Sequence, residues 1–293
     1  MKRLLLPILV LVLAGCQTAR RGGFYQDDGP GAGPPPVEVA RIADAVPKPE
    51  PRSRGGNRPY TVMGRQYVPL ADARGYRERG VASWYGRKFH GRQTSNGETY
   101  DMHAMTAAHK TLPLPSYVRV RNLENGRSAV VRVNDRGPFL HNRLIDLSYA
   151  AASKLGIAGT GTGLVEVEVV EPGAALATSE PAPAESEKPP RVEVLAPAAA
   201  AVAPPPVAGK PRLFVQAGAF SLWDNAETLR TRLERAGLRP IFIQSTLVAL
   251  QSGSPAQRVY RVRLGPVASV EAADRLTQSL TGHGVANATI VVE

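Results

Sequence analysis

The chain has 293 residues, with 36 Lys and Arg against 25 Asp and Glu, which gives a net charge of +11 at pH 7. Its hydrophobic fraction of 43% can support packed cores, while many of its 26 Pro and 28 Gly cluster in segments that cannot pack. A single cysteine excludes an intramolecular disulfide framework and a zinc site built on cysteines. We therefore expect small folded domains joined by linkers, and an anionic or carbohydrate partner.

The N-terminus has the pattern of a bacterial export signal. Two basic residues precede an apolar run over residues 4–13, which is too short to span a bilayer of about 30 Å as a helix. The run ends in Leu13-Ala14-Gly15-Cys16, a small-residue cleavage site followed by the only cysteine of the chain. An ordinary secretory signal with an incidental cysteine is the alternative. The sequence resembles a lipobox, which implies a signal peptide over residues 1–15 and a lipid anchor on Cys16.

The resemblance to a lipobox also implies a location. Gln17 follows the cysteine, where lipoproteins retained in the inner membrane typically carry Asp. We therefore expect a protein held by its lipid on the periplasmic side of the outer membrane. A basic protein in that compartment meets peptidoglycan long before it meets DNA, so we expect no nucleic acid partner.

Two segments predict disordered linkers. Residues 16–75 are rich in Gly, Pro and Arg, and residues 172–210 are rich in Pro and Ala. Polyproline segments rise about 3.1 Å per residue, so each linker can span several nanometres. Within the first linker, residues 60–70 (YTVMGRQYVPL) fit either a short strand or an ordered lead-in, and the sequence leaves this open. Two domains remain, over residues 76–171 and 211–293.

Residues 76–171 predict a mainly β domain. Period-2 runs of β-branched and aromatic residues are typical of strands, and Asn125-Gly126 is a hairpin turn signal. Ser148 can cap a short helix that Gly156 ends. The predicted strands cover residues 80–85, 116–123, 128–134 and 163–170, and the predicted helix covers residues 148–155. Short strands, one helix and turn-rich connections indicate a small β-barrel.

Residues 211–293 predict a ferredoxin-like α+β domain. Apolar residues at helical spacing indicate two helices, the first capped by Ser221 and ended by Gly237. Strands are predicted at 212–217, 240–250, 258–264 and 285–292, and the second helix at 269–280. The resulting order βαββαβ predicts an antiparallel sheet with both helices on one face.

Motifs in both domains resemble one known family. The first domain carries, in order, residues 82–86 (ASWYG), 94–101 (TSNGETYD), 106–112 (TAAHKTL), 131–139 (VRVNDRGPF) and 144–151 (LIDLSYAA). These motifs resemble the double-psi β-barrel of the rare lipoprotein A family. Residues 214–220 (FVQAGAF) and 260–266 (YRVRLGP) resemble the two marks of a SPOR domain.

This resemblance implies a function. It implies a lytic transglycosylase that cleaves between N-acetylmuramic acid and N-acetylglucosamine in peptidoglycan strands lacking stem peptides, and leaves 1,6-anhydro ends. A SPOR domain implies binding to such strands and delivery to the division septum, where cell-division proteins are candidate partners. The alternative is a non-catalytic lipoprotein that binds glycan as a scaffold.

Three residues in the matched motifs are the catalytic candidates: Asp135, Glu98 and His109. A site that cleaves glycan needs a carboxyl group that protonates the leaving oxygen. Asp135 follows a strand and precedes a Gly-Pro turn, so it either faces a groove or holds the turn. Glu98 can raise the pKa of Asp135, stabilise developing positive charge, or be a solvated loop residue. His109 can orient a carboxylate, bind an acetamido group, or be a buried hydrogen-bonding residue.

Other residues of this domain are candidates for binding the substrate. The rings of Trp84 and Tyr85 can cover the apolar faces of sugars, with core packing as the alternative. Arg136 fits either a salt bridge or a substrate contact. Asp146, between two apolar residues, indicates a buried structural group. The histidine spacing matches no metal motif, so we expect neither a metal nor another cofactor.

In the second domain, strand alternation places Gln216 and Arg261 on the open face of the sheet. Amide and guanidinium groups can form hydrogen bonds with sugars that carry amide and hydroxyl groups. The resemblance to SPOR domains also implies that these positions bind glycan. A solvated basic face is the alternative.

Overall fold

The structure, a computed structural model of the chain, describes residues 28–30, 42–140, 142–173, 210–248 and 256–293. The predicted signal peptide, the predicted lipidation site Cys16, most of residues 17–41 and nearly all of the Pro/Ala-rich linker lie outside the described residues. No helix in the described part of the chain is long and apolar enough to cross a membrane.

Two folded domains hold all but two of the regular elements. The strands are β1 (Tyr60–Val62), β2 (Arg65–Tyr67), β3 (Arg77–Tyr85), β4 (Thr106–His109), β5 (Ser116–Asn122), β6 (Ser128–Asp135), β7 (Ile145–Ser148), β8 (Gly163–Val169), β9 (Leu213–Phe220), β10 (Ile241–Val248), β11 (Gln257–Val267) and β12 (Thr289–Val292). The helices are α1 (Tyr149–Lys154), α2 (Trp223–Arg235) and α3 (Val270–Gly282). Strands β1 and β2 form a hairpin that precedes the first domain.

The first domain is a closed six-stranded barrel in the order β3, β7, β4, β6, β5, β8. Strand pairs β3–β7 and β4–β6 are parallel, and the other four pairs are antiparallel. Inward side chains fill the barrel, among them the fully buried Val118, Val131, Ile145 and Leu147. This arrangement confirms the predicted double-psi β-barrel.

Local signals in the sequence explain several boundaries of the barrel elements. Ser148 caps α1 by accepting a hydrogen bond at Oγ from Ala151 N, at 3.2 Å. Gly156 ends the helix with φ of +76°, a conformation that glycine adopts without steric cost. The strands β4 and β7 escape prediction because both of their faces are largely covered, which removes the alternation that marks a half-buried strand.

The linker prediction is wrong for residues 42–75, which pack on the barrel. Ile42 and Ala45 contact its hydrophobic core, and Ala45 N donates to Val130 O at 3.0 Å. The hairpin of β1 and β2 lies within this segment and pairs Tyr60 with Tyr67, so residues 60–67 form strands. Pro and Gly allow an extended path here, and hydrogen bonds to the barrel satisfy the backbone in place of a sheet of its own.

The second domain is a four-stranded antiparallel sheet in the order β10, β11, β9, β12, with α2 and α3 packed on one face. This confirms the predicted βαββαβ order. Ser269 caps α3 through a hydrogen bond from Ala272 N, at 3.2 Å. The expected cap by Ser221 is wrong: Leu222 occupies the N-cap position of α2, and no side chain caps it.

The two domains contact each other. Val81 and Leu164 of the barrel pack against Leu213, Val270 and Val292 of the second domain. A salt bridge of 2.6 Å joins barrel and helix α3, from Arg143 to Asp274. The barrel therefore touches α3 and the ends of β9 and β12, and the sheet face with Gln216 and Arg261 is not part of this contact.

Candidate active site

Strand register brings two carboxyl groups to one face of the barrel wall. Ser83 pairs with Asp146, Asp146 pairs with Ala108, and Ala108 pairs with Asp135. Directly paired residues on neighbouring strands project to the same side of a sheet. With strands about 4.8 Å apart, the Cα atoms of Asp135 and Asp146 are about 10 Å apart. We call these four residues the carboxyl row.

A register shift in β6 places Asp135 in this row. Ala107 pairs with the fully buried Val133, whereas its neighbour Ala108 pairs with Asp135, so Asn134 is an extra residue in β6. In a regular strand Asp135 would share the inward face of Val133. The bulge turns Asp135 away from the core, as bulges near functional sites often do.

Three donors hold one oxygen of the Asp135 carboxyl. Its Oδ1 accepts hydrogen bonds from Ser95 N at 2.8 Å, Ser95 Oγ at 2.7 Å and Arg136 N at 2.7 Å. No donor among the described residues contacts Oδ2, and the residue is half-buried. The carboxyl is thus oriented by one oxygen and open at the other.

Glu98 is bound tightly to Arg132. The guanidinium donates to both carboxyl oxygens, at 2.7 and 2.8 Å, and the side chains of Asn134 and Asn96 donate to them at 2.9 and 2.7 Å. The Arg132 hydrogen bonds are the main reason that the pKa of Glu98 falls to about 2. Glu98 therefore stays ionised near neutral pH, and it ties the loop that carries Ser95 to strand β6.

His109 is buried, and its ring forms hydrogen bonds with the backbone of the turn that follows β4. Only 3% of the residue is exposed, and burial lowers its pKa to about 3. Its Nδ1 accepts hydrogen bonds from Thr111 N at 3.2 Å and Leu112 N at 3.0 Å. A neutral ring then carries its proton on Nε2, which lies 3.1 Å from Tyr76 Oη. No carboxylate among the described residues bonds to the ring, which favours a buried hydrogen-bonding residue over one that orients a carboxylate, and a catalytic role of His109 stays a prediction.

Trp84 and Tyr85 are core residues, and their predicted role as a sugar platform is wrong. Their exposed fractions are 2% and 6%. Trp84 pairs with the inward Leu147 and packs on Tyr149, with 5.4 Å between ring centroids. Tyr85 stacks on Tyr100 at 4.0 Å. No ring face is left for a sugar.

For Arg136, which the sequence left as either a structural residue or a substrate contact, the surroundings favour the structural role. The residue is 9% exposed, and its guanidinium donates to backbone carbonyls on both sides. Gly56 O accepts at 2.9 and 2.8 Å, and Leu112 O accepts at 2.6 Å. Arg136 thus ties the segment before the barrel to the chain after β4.

Asp146 is buried, as the sequence predicted, but its surroundings change the acidity of its carboxyl group. It accepts a short hydrogen bond from Ser83 Oγ. Burial raises its pKa to about 6, although the Ser83 hydrogen bond and the charges of Arg143 and Lys110 oppose that rise. A carboxyl that retains its proton in this range is suited to donate one. The sequence signal was present in its matched motif, but its apolar neighbours favoured a structural interpretation.

In the second domain, Gln216 and Arg261 share the sheet face opposite the helices. Gln216 pairs with Arg263 and Thr289, and Arg261 pairs with Gln244. Both candidates are half-buried, whereas Arg263 is only 6% exposed and binds Glu293. Gln216 and Arg261 remain available for a partner.

The described residues contain no group of three or more His, Cys, Asp or Glu side chains arranged to hold a metal ion.

Two family models match the chain: the lytic transglycolase model over residues 77–169, and the SPOR domain model over residues 209–291. The chain is 45% identical over 286 residues to the endolytic peptidoglycan transglycosylase RlpA of Pseudomonas aeruginosa strain UCBPP-PA14, across 87% of this chain and 82% of that protein. It is 55% identical over 163 residues to the protein of that name from Vibrio cholerae, across 56% of this chain and 61% of that protein. A crystal structure of the SPOR domain of RlpA from Pseudomonas aeruginosa matches at 34% identity with a TM-score of 0.23, over 27% of this chain and 96% of that chain.

The order of domains and the identity over most of both sequences confirm the resemblance found in the motifs. The chain therefore belongs to the RlpA family, in which a lytic transglycosylase barrel is followed by a SPOR domain.

Proposed function

We propose that this protein is an endolytic peptidoglycan transglycosylase that cleaves strands lacking stem peptides and leaves 1,6-anhydromuramic acid ends. Its relatives in Pseudomonas aeruginosa and Vibrio cholerae carry the name endolytic peptidoglycan transglycosylase. The observation that carries the proposal is the carboxyl row: Asp135 and Asp146 lie on one face in opposite surroundings, with only the small Ala108 between them.

Two carboxyl groups held in different environments can divide the acid and base tasks of one reaction. Asp146, 7% exposed and with its pKa raised to about 6, is the proton donor to the leaving oxygen of a glycan that binds beside the half-buried Asp135. Asp135, open at Oδ2, takes the proton of the C6 hydroxyl as that oxygen attacks C1. The C1–O bond to the leaving sugar breaks, the anhydro ring closes, and no water is consumed. This assigns proton donation to Asp146, which the sequence indicated as a buried structural group, and keeps the catalytic candidate Asp135 as the base.

Glu98 acts in this scheme as a positioning residue. Arg132 keeps it ionised, which makes it unsuitable as the acid of a hydrolase pair. Its hydrogen bonds hold the loop of residues 94–98, which carries the two Ser95 donors to Asp135.

The SPOR domain supports delivery to septal peptidoglycan. Gln216 and Arg261 are the proposed glycan contacts on its open sheet face. The lipobox at residues 13–16 supports a lipid anchor on the periplasmic side of the outer membrane, and the Pro-rich linker provides reach into the wall. Cell-division proteins at the septum are the proposed partners besides glycan.

The test is digestion of purified cell-wall sacculi by the full chain. Sacculi treated with an amidase, which removes stem peptides, should release soluble glycan fragments in mass spectra, and untreated sacculi should release far fewer. Asp135→Asn should slow this release by about 100-fold or more. Equal release from both substrates would contradict the preference for bare strands, and no release from either would support a glycan-binding scaffold.

A further inference from the structure

A cleft of about 350 Å³ opens on the barrel beside the carboxyl row. It is lined by the β1–β2 hairpin, the end of β4, the chain after β6, and Thr289 and Ile290 of strand β12. The cleft lies near the row, because a Cβ atom added at Gly137, two residues after Asp135, would be 3.8 Å from Cβ of Ala108 and 3.9 Å from the ring of Phe139, which lines the cleft.

One wall of this cleft is aromatic. The ring of Tyr67 lies 5.7 Å from the ring of Phe139 and stacks on Tyr60 at 5.2 Å, with 17° between the planes. The hydroxyl of Tyr60 donates to Lys110 O at 2.8 Å, which fixes the hairpin to the barrel. All three rings are half-buried, so each keeps exposed surface. Flat rings of this kind cover the apolar face of a pyranose.

Four Lys and Arg side chains line the cleft. Two of them, Arg79 and Arg143, form salt bridges with Glu166 and Asp274.

Arg65 packs over the Tyr67 ring at 5.5 Å, and the half-buried Lys110 donates to Arg143 O. Neither Arg65 nor Lys110 forms an ion pair within the part of the chain that the structure describes. Glu78, the acidic residue of the lining, accepts a hydrogen bond from Tyr76 Oη at 2.7 Å.

We propose that this cleft is a subsite for a muramic acid residue whose lactyl group ends in a free carboxylate. Arg65 and Lys110 bind the carboxylate, and Tyr67 and Phe139 cover the sugar. A stem peptide converts that carboxylate to an uncharged amide, so the subsite discriminates against strands that carry peptides. The inference rests on the proposed function for the substrate class, and it gives the preference for bare strands a physical cause.

The experiment is an NMR titration of the full chain carrying Asp135→Asn, so that ligand binding is observed apart from cleavage. The backbone amide signals of Tyr67 and Lys110 report the cleft, while those of Gln216 and Arg261 report the SPOR domain separately. Three ligands are compared: peptide-free glycan oligosaccharides with free lactyl carboxylates, the same oligosaccharides with those carboxylates amidated, and chitin oligosaccharides of equal length.

In the parent chain, the cleft signals should saturate at a concentration about tenfold lower with the carboxylate ligand than with either neutral ligand. Arg65→Gln and Lys110→Met should each reduce that preference severalfold. Arg65 is exposed, so its variant tests the proposal even if Lys110→Met perturbs folding. Tyr67→Ala should weaken all three ligands together. The matched control Arg121→Gln removes an exposed positive charge from β5, outside the cleft, and should change nothing.

Equal midpoints for carboxylate and amidated ligands at the cleft signals would overturn the proposal, as would unchanged preference in both Arg65→Gln and Lys110→Met. These outcomes are independent of whether the chain with Asp135 intact cleaves glycan. A cleft that discriminates in a chain that releases no product would instead contradict the proposed function and leave the subsite standing.

Discussion

Asp135 and Asp146 carry the same chemical group in different surroundings, and the roles proposed for them rest on that difference. Asp135 is half-buried and has one oxygen free of donors. Asp146 is buried against Ser83, and its pKa is raised to about 6. Sequence motifs located both residues, but only the strand register showed that they share one face.

The first prediction concerns these two carboxyl groups. Asp135→Asn and Asp146→Asn should each reduce kcat/KM on peptide-free glycan by about 100-fold or more, the usual contribution of a general acid or base. In the unchanged chain, kcat/KM should fall as the pH rises above about 6, because Asp146 then loses its proton. Steady-state rates across pH 4 to 9 measure both effects.

Asp101→Asn provides the matched control, because Asp101 is an exposed carboxylate in a neighbouring motif. It should retain nearly full activity. If Asp146→Asn kept normal activity while Asp135→Asn lost it, Asp135 would act alone in both proton transfers.

The second prediction links Asp146 to stability. Its pKa rises from the ordinary value of 3.8 for an aspartate to about 6 in the folded chain, so the folded state binds the proton more tightly between these values. Stability therefore falls as the pH rises through this window, by roughly 3 kcal/mol for a shift of about two pH units. The Asp146→Asn variant has no carboxyl group at this position, so its stability should not fall in this way. Urea unfolding at pH 4 and pH 8 should show that difference, and parallel changes in both chains would contradict it.

At the scale of elements, the parts that could be predicted are those with a one-sided pattern. Strands β3, β5, β6 and β8 alternate or carry β-branched runs, and their predicted positions are confirmed to within a few residues. Strands β4 and β7 are short and covered on both faces, so no alternation marks them. These two strands carry Ala108 and Asp146, which is why the carboxyl row could not be derived from local pattern.

The fold of the segment before the barrel also could not be predicted from a local sequence pattern. Residues 42–75 lack a periodic pattern because they bind the barrel through scattered single contacts. Glu50 pairs with Arg132 at 2.8 Å, and Gly56 O and Asn57 Oδ1 accept from the buried guanidinium of Arg136. Such contacts depend on the partner surface, and composition alone made the segment resemble a linker.

The third prediction follows from those contacts. A fragment of residues 76–173 should be less stable than one of residues 42–173 by about 3 kcal/mol or more. Removing residues 42–75 removes the hydrogen bonds of the charged Arg136 guanidinium to Gly56 and Asn57 and one carboxylate partner of Arg132, and hydrogen bonds to charged groups contribute about 1.5–3 kcal/mol each. Urea unfolding of the two fragments measures the difference. Equal stability would show that the segment is dispensable for the barrel fold.

The whole molecule joins a cleaving barrel to a glycan-binding domain. Their contact uses helix α3 and the ends of β9 and β12, and it leaves Gln216 and Arg261 on the opposite sheet face. This geometry permits glycan binding by the SPOR domain while the barrel acts on a strand.

The fourth prediction separates delivery from cleavage. A chain that lacks residues 210–293 should lose its septal band in fluorescence images, yet cleave peptide-free glycan in solution. The double variant Gln216→Ala, Arg261→Ala should lose the band as well, whereas Arg235→Ala, an exposed change on helix α2, should keep it. A septal band from the truncated chain would assign targeting to another part of the protein.

The central claim is that the carboxyl row cleaves glycan without adding water, and isotope-labelled water tests it most directly. The full chain digests peptide-free glycan in water enriched in oxygen-18, and mass spectrometry reads each new muramic acid end. If the internal C6 hydroxyl is the nucleophile, the new ends are anhydro rings. Each is one water lighter than a reducing end and carries no oxygen-18. Reducing ends that carry oxygen-18 would contradict the account and show that the two carboxyl groups activate water as a hydrolase does.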